Sequence, residues 1–565
     1  MFRQLTTQAL RQARLVKVMA ESGVIRPYGP TTLAAIGKAL YTRGIGFAGG
    51  IQALAVRAPD EVGLIDELGE LTWSQIDERA TRLAHGLKDL GVGEGDSVAV
   101  LCRNHRYFVD VSTALSKIGA DILYLNTAFS APQLGEVCKR EKPAAIVFDE
   151  EFTELVDKSG IDVTRVLAWH EGEAGDSTLV EDLVEKGSTQ ALPVPEHATR
   201  PVILTSGTTG TPKGAPRGES GLDGAVALLS KMPLKTGGTT YIAAPLFHTW
   251  GWAHLNLAML LGSTLVLTRK FDPAGSLKVV QEHGCDAMVV IPVMMQRIMK
   301  LSEEDRKGDF SKLRVVAASG SALPGDLATD WMDSFGENLY NTYGSTEVAW
   351  ATIAQPRDMR EAPGTAGKPP YNTVVKIYDE DGKEVAAGES GRIFVGNTML
   401  FGGYTGDTDE KKDMIDGLMS SGDVGRFDEE GRLFVEGRDD EMIVSGGENV
   451  FPKEVEDCLS RHDNVSDVAA IGVDDDDFGK RLRAFVVKDG EVDEETLKGH
   501  VKENLARYKV PREIIFLDEL PRNATGKVLK KDLKDYDEDG NPGSGDAKDS
   551  DDSGSDEASG SGDED

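Results

Sequence analysis

Two stretches of the chain alternate short apolar runs with segments of helical spacing, and this alternation restricts the fold more than any other feature. The first stretch covers residues 61–150 and the second covers residues 241–350. Apolar runs separated by helix-length segments are typical of β-α-β units, whose strands are parallel and buried. The sequence therefore predicts two parallel α/β subdomains with a similar architecture.

The pattern changes at residues 373–436, where short strand-like runs are joined by Asp-Gly and other glycine-containing turns. Such turns favour hairpins, so we predict a small antiparallel β subdomain here. A charged break at 437–442 separates it from a compact segment of mixed helices and strands. The predicted class is α/β, with two parallel subdomains and an antiparallel β subdomain in a large N-terminal domain, and a smaller α+β C-terminal domain. The predicted boundaries are a helical N-terminal extension at 1–50, the large domain at 51–437, a hinge at 438–440, the small domain at 441–535 and an acidic tail at 536–565.

The formal net charge is −33, and this charge disfavours nucleic acid as a partner. Residues 537–565 hold twelve acidic residues and one lysine, and they are almost free of apolar residues. We predict that this tail is disordered and solvating, with binding to a basic partner as the alternative. The rest of the chain is also acidic, which either a saline cytoplasm or ordinary solubility explains. An acidic chain disfavours nucleic acid as a partner.

The first twenty residues contain four basic residues and no acidic one, with apolar residues at helical spacing. We predict an amphipathic helix that packs on the protein itself, and peripheral contact with an anionic membrane is the alternative. No run of apolar residues is long enough for a spanning helix. The four cysteines are scattered and form no CxxC pair, so we expect neither a zinc site nor a disulfide framework, and a reducing cytoplasm.

The stretch ILTSGTTGTPKGAPR at 203–217 combines glycines, hydroxyls and one lysine. Glycines let backbone N–H groups approach an anion, hydroxyls donate hydrogen bonds and lysine supplies a positive charge, so the stretch predicts a phosphate loop. It differs from the common P-loop because Pro212 replaces the second glycine and Gly214 follows Lys213. By itself the stretch also fits a flexible surface loop.

Four further stretches carry residues suited to nucleotide chemistry. NTYGSTE at 341–347 offers an aromatic face, a hydroxyl and the carboxylate of Glu347, which suits Mg²⁺. SGDVG at 421–425 places Asp423 in a turn, where a carboxylate accepts hydrogen bonds from ribose hydroxyls. The others are GRDDEMIVSGGENVFPKEVE at 437–456 and PRNATGKVLK at 521–530, which contains Lys527. Taken singly, Glu347 fits a surface acid, Asp423 a turn former and Lys527 a solvated lysine.

Together these stretches resemble the AMP-forming adenylating superfamily, which includes acyl- and aryl-CoA synthetases, luciferase and peptide-synthetase adenylation domains. The resemblance covers about residues 50–535 and is greatest to bacterial fatty-acyl-CoA synthetases. It implies a two-step reaction that uses ATP, Mg²⁺ and coenzyme A. A carboxylate first attacks the α-phosphorus of ATP and displaces pyrophosphate, and a thiol then displaces AMP. Such catalysis depends on charge neutralisation and alignment.

The resemblance also implies a role for each motif. The phosphates of ATP are expected to bind Thr205, Ser206, Gly207, Thr208, Thr209, Gly210 and Lys213. The remainder of the nucleotide is expected to bind Gly320, Ser321, Ala322, Asn341, Tyr343, Gly344, Thr346, Asp423 and Arg438. Glu347 is the expected Mg²⁺ ligand, and Lys527 is expected to bridge the carboxylate and the α-phosphate in the first step only. The catalytic candidates are Lys213, His248, Thr346, Glu347 and Lys527.

The C-terminal domain is expected to be mobile, again by resemblance. Asp440 matches the hinge position of the family, where a backbone rotation swings the small domain. This rotation would remove Lys527 from the site and present Ser445, Gly446 and Gly447 to coenzyme A. The second half-reaction would then follow at the same adenylate.

The segment PLFHTWGWAHLN at 245–256 matches the acyl-binding position of the family. His248, Trp252 and Gly320 are the expected acyl pocket, although a buried core tryptophan is an equal alternative for Trp252. The segment has no acidic residue, which argues against an amino acid as substrate. We predict a fatty-acid–CoA ligase for medium- to long-chain acids.

Three alternatives stay open at this point. The first is an aryl-acid CoA ligase, since the motifs are shared with such enzymes, and the second is an acyl-AMP ligase that loads a carrier protein. The third, a non-catalytic adenylate-binding protein, is disfavoured by the presence of Lys213, Glu347, Asp423 and Lys527. The sequence does not decide whether the protein is a homodimer.

Overall fold

The computed structural model divides into two units. The first comprises Met1–Met442 with Arg522–Val528, and the second comprises Ile443–Pro521 with Leu529–Asp565. The described residues are 2–172, 175, 177–204, 214–216, 222–345, 347–400, 413–441, 443–445, 448–475, 479–523, 526–537 and 540. Most of the acidic tail therefore lies outside the described residues.

Three helices precede the first strand. They are α1 (Phe2–Glu21), α2 (Pro30–Arg43) and α3 (Phe47–Arg57). Val18 and Met19 of α1 are buried against Val226 and Tyr371, so this helix packs on the protein itself, as predicted. The boundary expected at residue 50 falls inside α3, whose apolar side chains belong to the main core. In the described part of the chain, no helix has the length and apolar character needed to cross a membrane.

The first α/β region begins with a hairpin and a long helix, as the sequence predicts. The hairpin strands are β1 (Val62–Asp66) and β2 (Gly69–Thr72), and α4 (Trp73–Asp89) follows at once. Thr72 and Gln75 form a reciprocal capping box, in which each side chain accepts a hydrogen bond from the backbone N–H of the other residue. This cap fixes the start of α4.

The first sheet has the described order β6-β5-β3-β4-β7-β8. Its strands are β3 (Ser97–Leu101), β4 (Asp121–Tyr124), β5 (Ala145–Phe148), β6 (Thr164–Leu167), β7 (Pro201–Leu204) and β8 (Gly214–Pro216). All pairs are parallel except β7 with β8. The helices of this region are α5 (Arg106–Ile118), α6 (Ala131–Glu141), α7 (Thr153–Lys158) and α8 (Val180–Lys186).

The second sheet has the described order β14-β13-β12-β11-β9-β10-β1-β2. Its further strands are β9 (Thr239–Ile242), β10 (Thr264–Leu267), β11 (Ala287–Val290), β12 (Val315–Ala318), β13 (Leu339–Tyr343) and β14 (Thr352–Ala354). The helices of this region are α9 (Asp223–Leu229), α10 (Thr249–Leu261), α11 (Pro273–Glu282), α12 (Pro292–Met299), α13 (Gly325–Phe335) and α14 (Pro356–Glu361). The hairpin β1–β2 belongs to this sheet and not to the sheet of β3, because β1 pairs in parallel with β10.

Buried polar side chains connect the two sheets. The Asn104 amide follows β3, donates to the carbonyls of Ile242 (3.1 Å) and Ala244 (2.9 Å) and accepts the N–H of Leu246 (2.9 Å). Arg106, at the start of α5, donates to the buried carboxylate of Asp66 at the end of β1. These bonds join the segment that follows β3 of the first sheet to the ends of β1 and β9 of the second sheet.

The antiparallel subdomain is present, as predicted. Its strands are β15 (Val374–Tyr378), β16 (Gly391–Gly396), β17 (Met414–Ile415), β18 (Leu418–Phe427) and β19 (Leu433–Arg438). All of their pairings are antiparallel, and Asp423 of β18 lies opposite Arg438 of β19. Ile393, Val395 and Leu433 form part of its own small core.

The second unit is a mixed α and β domain with a separate core. Its strands are β20 (Ile443–Ser445), β21 (Glu448–Val450), β22 (Val465–Asp475), β23 (Gly479–Lys488) and β24 (Glu513–Leu517), and its helices are α15 (Pro452–Leu459), α16 (Glu494–Asn504) and α17 (Lys530–Leu533). Val455 of α15 and Leu497 of α16 are fully buried with strand residues such as Ala484. The described strands combine antiparallel pairs with one parallel pair, β23 with β24.

We expect Asn104→Leu to destabilise the first unit. The substitution keeps a similar volume but leaves two buried carbonyls and one buried N–H without their partner, which costs about 2–4 kcal/mol. The thermal midpoint should fall by about 2–4 °C in calorimetry. Asn126→Leu is the control, because the Asn126 side chain accepts a single exposed bond from Ala128. Equal midpoints for the two variants would contradict the role given to Asn104.

Candidate active site

The carboxyl edge of the second sheet collects three of the segments that the sequence singled out. His248 follows β9, and Gly320, Ser321 and Ala322 follow β12. Asn341 and Tyr343 lie in β13, and Gly344 follows it directly. Ligands of open α/β sheets bind at this edge, beyond the carboxyl ends of the strands. The structure thus brings three separate motifs to one place.

Two glycines at this edge are required by local geometry. Gly320 has a φ of +99°, and a Cβ added there would lie 3.2 Å from Ile291 Cγ2. A Cβ on Gly344 would lie 2.1 Å from the carbonyl oxygen of Ala349, which no side chain tolerates. Ser319, next to Gly320, donates a hydrogen bond from its Oγ to the carbonyl of Thr342 at 2.7 Å, and this bond links the two turns. The two glycines are therefore needed for the backbone conformation and close packing of these turns.

His248 directly precedes α10, and the first turn of this helix orients its ring. Its Nδ1 accepts the N–H of Trp250 at 3.5 Å, and the helix ends at Gly262 in the left-handed region. The indole of Trp250 donates to the carbonyl of Val290 at 3.1 Å, which holds α10 against the end of β11. Trp252 is half-buried and packs against the main core, so its role as a pocket wall remains a prediction.

Asp423 and Tyr343 meet although eighty residues separate them. The Tyr343 hydroxyl donates to Asp423 Oδ2 at 2.5 Å. Burial raises the pKa of the Asp423 carboxyl, and the Tyr343 hydrogen bond and the charges of Arg438 and Lys527 act in the opposite direction. Burial and the Asp423 charge raise the pKa of the Tyr343 phenol, which is therefore neutral. Residues of four motifs thus share one electrostatic environment.

Lys527 is held in a tight turn that groups with the first unit. Its N–H donates to Asn523 Oδ1 and its carbonyl accepts the N–H of Asn523, both at 2.9 Å. Gly526 has a φ of +77°, and a Cβ there would lie 2.5 Å from Val293 Cγ1. The glycine is therefore needed both for the turn and for its close packing.

Ser421 is a residue of this site that sequence reasoning missed. Its Oγ accepts the N–H of Asp423 at 3.2 Å, lies 3.2 Å from the Tyr343 hydroxyl oxygen and donates to the carbonyl of Ile393. It therefore orients both of the groups that meet there. The only signal was a hydroxyl two residues before Asp423, which is common in turns.

Part of the predicted site lies outside the described residues. This applies to Thr205, Ser206, Gly207, Thr208, Thr209, Gly210, Lys213, Thr346, Gly446 and Gly447. Asp440 is described by its backbone, in a short 3₁₀ turn at Asp439–Glu441, and Ser445 by its place in β20. Glu347 is half-buried, and its N–H donates to Ser345 Oγ at 3.2 Å. Its role as a Mg²⁺ ligand stays a prediction.

Comparison with known proteins identifies the family. Residues 51–405 match the AMP-binding enzyme family, and residues 454–527 match the AMP-binding enzyme C-terminal domain. A 2-succinylbenzoate–CoA ligase of Bacillus thuringiensis subsp. konkukian (strain 97-27) is 32% identical over 485 residues, which cover 85% of this chain and 96% of that protein. A feruloyl-CoA synthase of Amycolatopsis sp is 33% identical over 470 residues, covering 82% of this chain and 93% of that protein.

Solved structures agree with this assignment. The O-succinylbenzoate coenzyme A synthetase of Bacillus subtilis, in complex with AMP, superposes with a TM-score of 0.76 at 26% identity. The match covers 86% of this chain and 98% of that one. The resemblance drawn from the motifs and the predicted fold class are both confirmed. The chain belongs to the AMP-binding enzyme family, within the AMP-forming superfamily of adenylate-forming CoA ligases.

Proposed function

We propose that this adenylate-forming CoA ligase activates an aryl carboxylic acid with ATP and transfers it to coenzyme A. The observation that carries the proposal is the pair of relatives named for 2-succinylbenzoate and for ferulate, each matched over more than nine-tenths of its length. The sequence analysis predicted a medium- to long-chain fatty acid, and these relatives favour its aryl-acid alternative instead. The motifs did not discriminate between fatty and aryl acids, because they are assigned to the nucleotide and the thiol, which both classes of ligase share.

The charges at the site suit the first half-reaction. The acid carboxylate and the triphosphate are both anionic, so their approach requires positive groups in fixed positions. Lys527 and Arg438 both act electrostatically on Asp423, which brings two cations to the same region. We assign to Lys527 the bridge between the attacking carboxylate and the α-phosphate. Glu347 would hold Mg²⁺, which offsets phosphate charge when bound.

Recognition of the nucleoside is assigned to Asp423 and Tyr343. The carboxylate of Asp423 has two oxygens for the ribose hydroxyls, and Ser421 and Tyr343 hold it in place. The Tyr343 ring offers a face for adenine at the edge of β13. The second half-reaction breaks the bond between the acyl carbon and AMP as the CoA thiol attacks. We assign the withdrawal of Lys527 before this step to rotation at Asp440.

Lys527→Ala should slow adenylation about 10²–10³-fold, comparable with the loss of an oxyanion-hole donor. Thioester formation from preformed acyl-adenylate should persist, because Lys527 acts only in the first step. Pyrophosphate release and acyl-CoA formation measure the two half-reactions separately. Lys531→Ala is the control, since Lys531 is exposed on α17. An equal loss in both half-reactions would disprove the assignment.

Asp423→Asn should weaken AMP binding about ten- to hundredfold, because hydrogen bonds to a charged group contribute about 1.5–3 kcal/mol. Calorimetric titration of AMP measures this change. Asp428→Asn is the matched control, because Asp428 follows the same strand and pairs with Arg432. In the wild type, AMP affinity should fall on acidification at a pH above the ordinary aspartate value of 3.8, since burial raises the pKa of Asp423. Affinity that is insensitive to both changes would remove Asp423 from the nucleotide site.

Pyrophosphate release across a panel of acids tests the substrate class. The panel contains benzoate, ferulate, 2-succinylbenzoate, octanoate and palmitate, each with and without coenzyme A. We expect the highest CoA-dependent rate with an aryl acid. A maximum with octanoate or palmitate would restore the fatty-acid prediction. Turnover that does not depend on coenzyme A would instead indicate loading of a carrier protein.

A further inference from the structure

The second helix of the chain, α2, is apolar on two opposite faces. Its inner face carries Ile36, Ala39 and Leu40, which are buried or half-buried. Its outer face follows the same helical spacing and is exposed along its whole length, and its members are Pro30, Leu33, Ala34, Gly37 and Tyr41. A helix that is apolar all round is normally buried. The described part of the chain therefore leaves one apolar face of α2 uncovered.

The direction of this outer face is fixed by how α2 is anchored. The helix packs against α3, whose apolar side chains belong to the main core. At its last residue, the Arg43 guanidinium donates to the carbonyls of Leu192 at 2.6 Å and of Lys117 at 3.0 Å. Contacts on the inner side and at the end of the helix thus hold it on the protein. The outer face is a defined surface of the folded chain.

Exposed large apolar side chains are concentrated around α2. The structure describes thirteen of them, and six lie within less than a tenth of the chain, namely Val16, Ile25, Leu33, Tyr41, Ile45 and Val56. Tyr41 is 91% exposed, Leu33 is 50% exposed, and Ile45, which closely follows the helix, is 49% exposed. Single exposed apolar residues are ordinary, but a concentration of them marks an interaction surface.

The same part of the chain has the opposite charge to the rest of the protein. Residues 1–59 contain eight basic residues and one acidic residue, a net charge of +7, while the remaining residues contain 54 basic and 94 acidic residues, a net charge of −40. Residues 22–59 contain no acidic residue at all. Lys38 is exposed beside the outer face of α2. A surface that is both basic and apolar and carries a tyrosine suits an anionic bilayer.

The charge also argues against two other occupants of this face. A symmetric dimer through α2 would bring two copies of the basic segment together, and like charges repel each other. The acidic tail of the same chain complements the charge. However, residues 537–565 contain no leucine, isoleucine, valine, methionine or aromatic residue with which to cover an apolar face.

We propose that the outer face of α2, together with Ile45, docks on the surface of an anionic lipid bilayer. Leu33, Tyr41 and Ile45 enter the boundary between headgroups and acyl chains, and Lys38 lies at the level of the lipid phosphates. The sequence analysis considered such contact for α1, but α1 packs on the protein itself, whereas the face of α2 is exposed. The proposal is independent of which acid the enzyme activates.

Sedimentation of the full-length protein with lipid vesicles tests the proposal. One vesicle contains equal parts of phosphatidylglycerol and phosphatidylcholine, and the other contains phosphatidylcholine alone. We expect the partition coefficient to be at least about tenfold higher for the anionic vesicle, because each basic residue near such a surface strengthens binding about fivefold. Raising the salt from about 50 mM to about 500 mM should remove most of this difference. Absence of binding to the anionic vesicle, or equal binding to both vesicles, would overturn the proposal.

Variants locate the bound surface. The double substitution Leu33→Gln and Tyr41→Gln should lower the partition coefficient at least about tenfold, because it removes the two largest apolar groups of the outer face. The matched control is Val374→Gln with Met414→Gln, which changes two apolar residues of the antiparallel subdomain that are 47% and 51% exposed, and it should bind as the wild type does. Equal binding by the α2 variant and the control would overturn the proposal.

Two further measurements keep the result decisive. Both double variants should keep the thermal midpoint and the rate of pyrophosphate release of the wild type, since they change exposed side chains. Should the α2 variant not fold, Lys38→Glu takes its place, and its partition coefficient should fall at least about tenfold because the charge is reversed. A dimer in sedimentation velocity that the α2 variant abolishes would show that a second copy covers this face, and would overturn the proposal.

Discussion

The Asn104 amide is the interaction on which the site depends. It follows β3 of the first sheet, yet its three hydrogen bonds go to Ile242, Ala244 and Leu246, which lie at or just beyond the end of β9 of the second sheet. These residues lead directly into α10, so one buried side chain sets both the junction of the sheets and the entry of that helix. The positions of His248, Trp250 and His254 all follow from it. Because the amide is buried, no water can replace these bonds at low cost.

A second constraint is the balance of charge around Asp423. Burial raises the pKa of the Asp423 carboxyl. The hydrogen bond from the Tyr343 phenol and the positive charges of Arg438 and Lys527 act in the opposite direction. These groups come from β13, β18, β19 and a turn near the end of the folded chain. A site that must align two anions needs such preorganised groups, since reorganising solvent during the reaction is costly. The same arrangement brings residues of distant motifs into one electrostatic environment.

The sequence predicted a large part of the fold, and its site residues stay predictions. Apolar alternation placed β3, β4, β5, β9, β11 and β12 and the helices between several of them, because a buried parallel strand needs a continuous apolar run. It did not assign the hairpin β1–β2 to its sheet, in which β1 pairs with β10 about two hundred residues away. The apolar pattern indicates that a strand is buried, but it does not indicate which strand pairs with it in the sheet. Ser421 was missed for a related reason, since a lone serine has no pattern.

By itself the sequence determined the chemistry that any member of the family shares. The residues expected to bind phosphate and ribose, and the lysine expected to bridge the carboxylate and the α-phosphate, occur as short local motifs, and a motif is readable where the chain itself sets its geometry. The acid is a different matter, because its expected pocket at His248, Trp252 and Gly320 draws on α10 and the turn after β12, which only the tertiary structure brings together. The sequence therefore favoured a fatty acid on weak grounds. Only the folded chain shows that the start of α10 and the turn after β12 meet at one edge, because β9 and β12 lie in the same sheet with β11 between them.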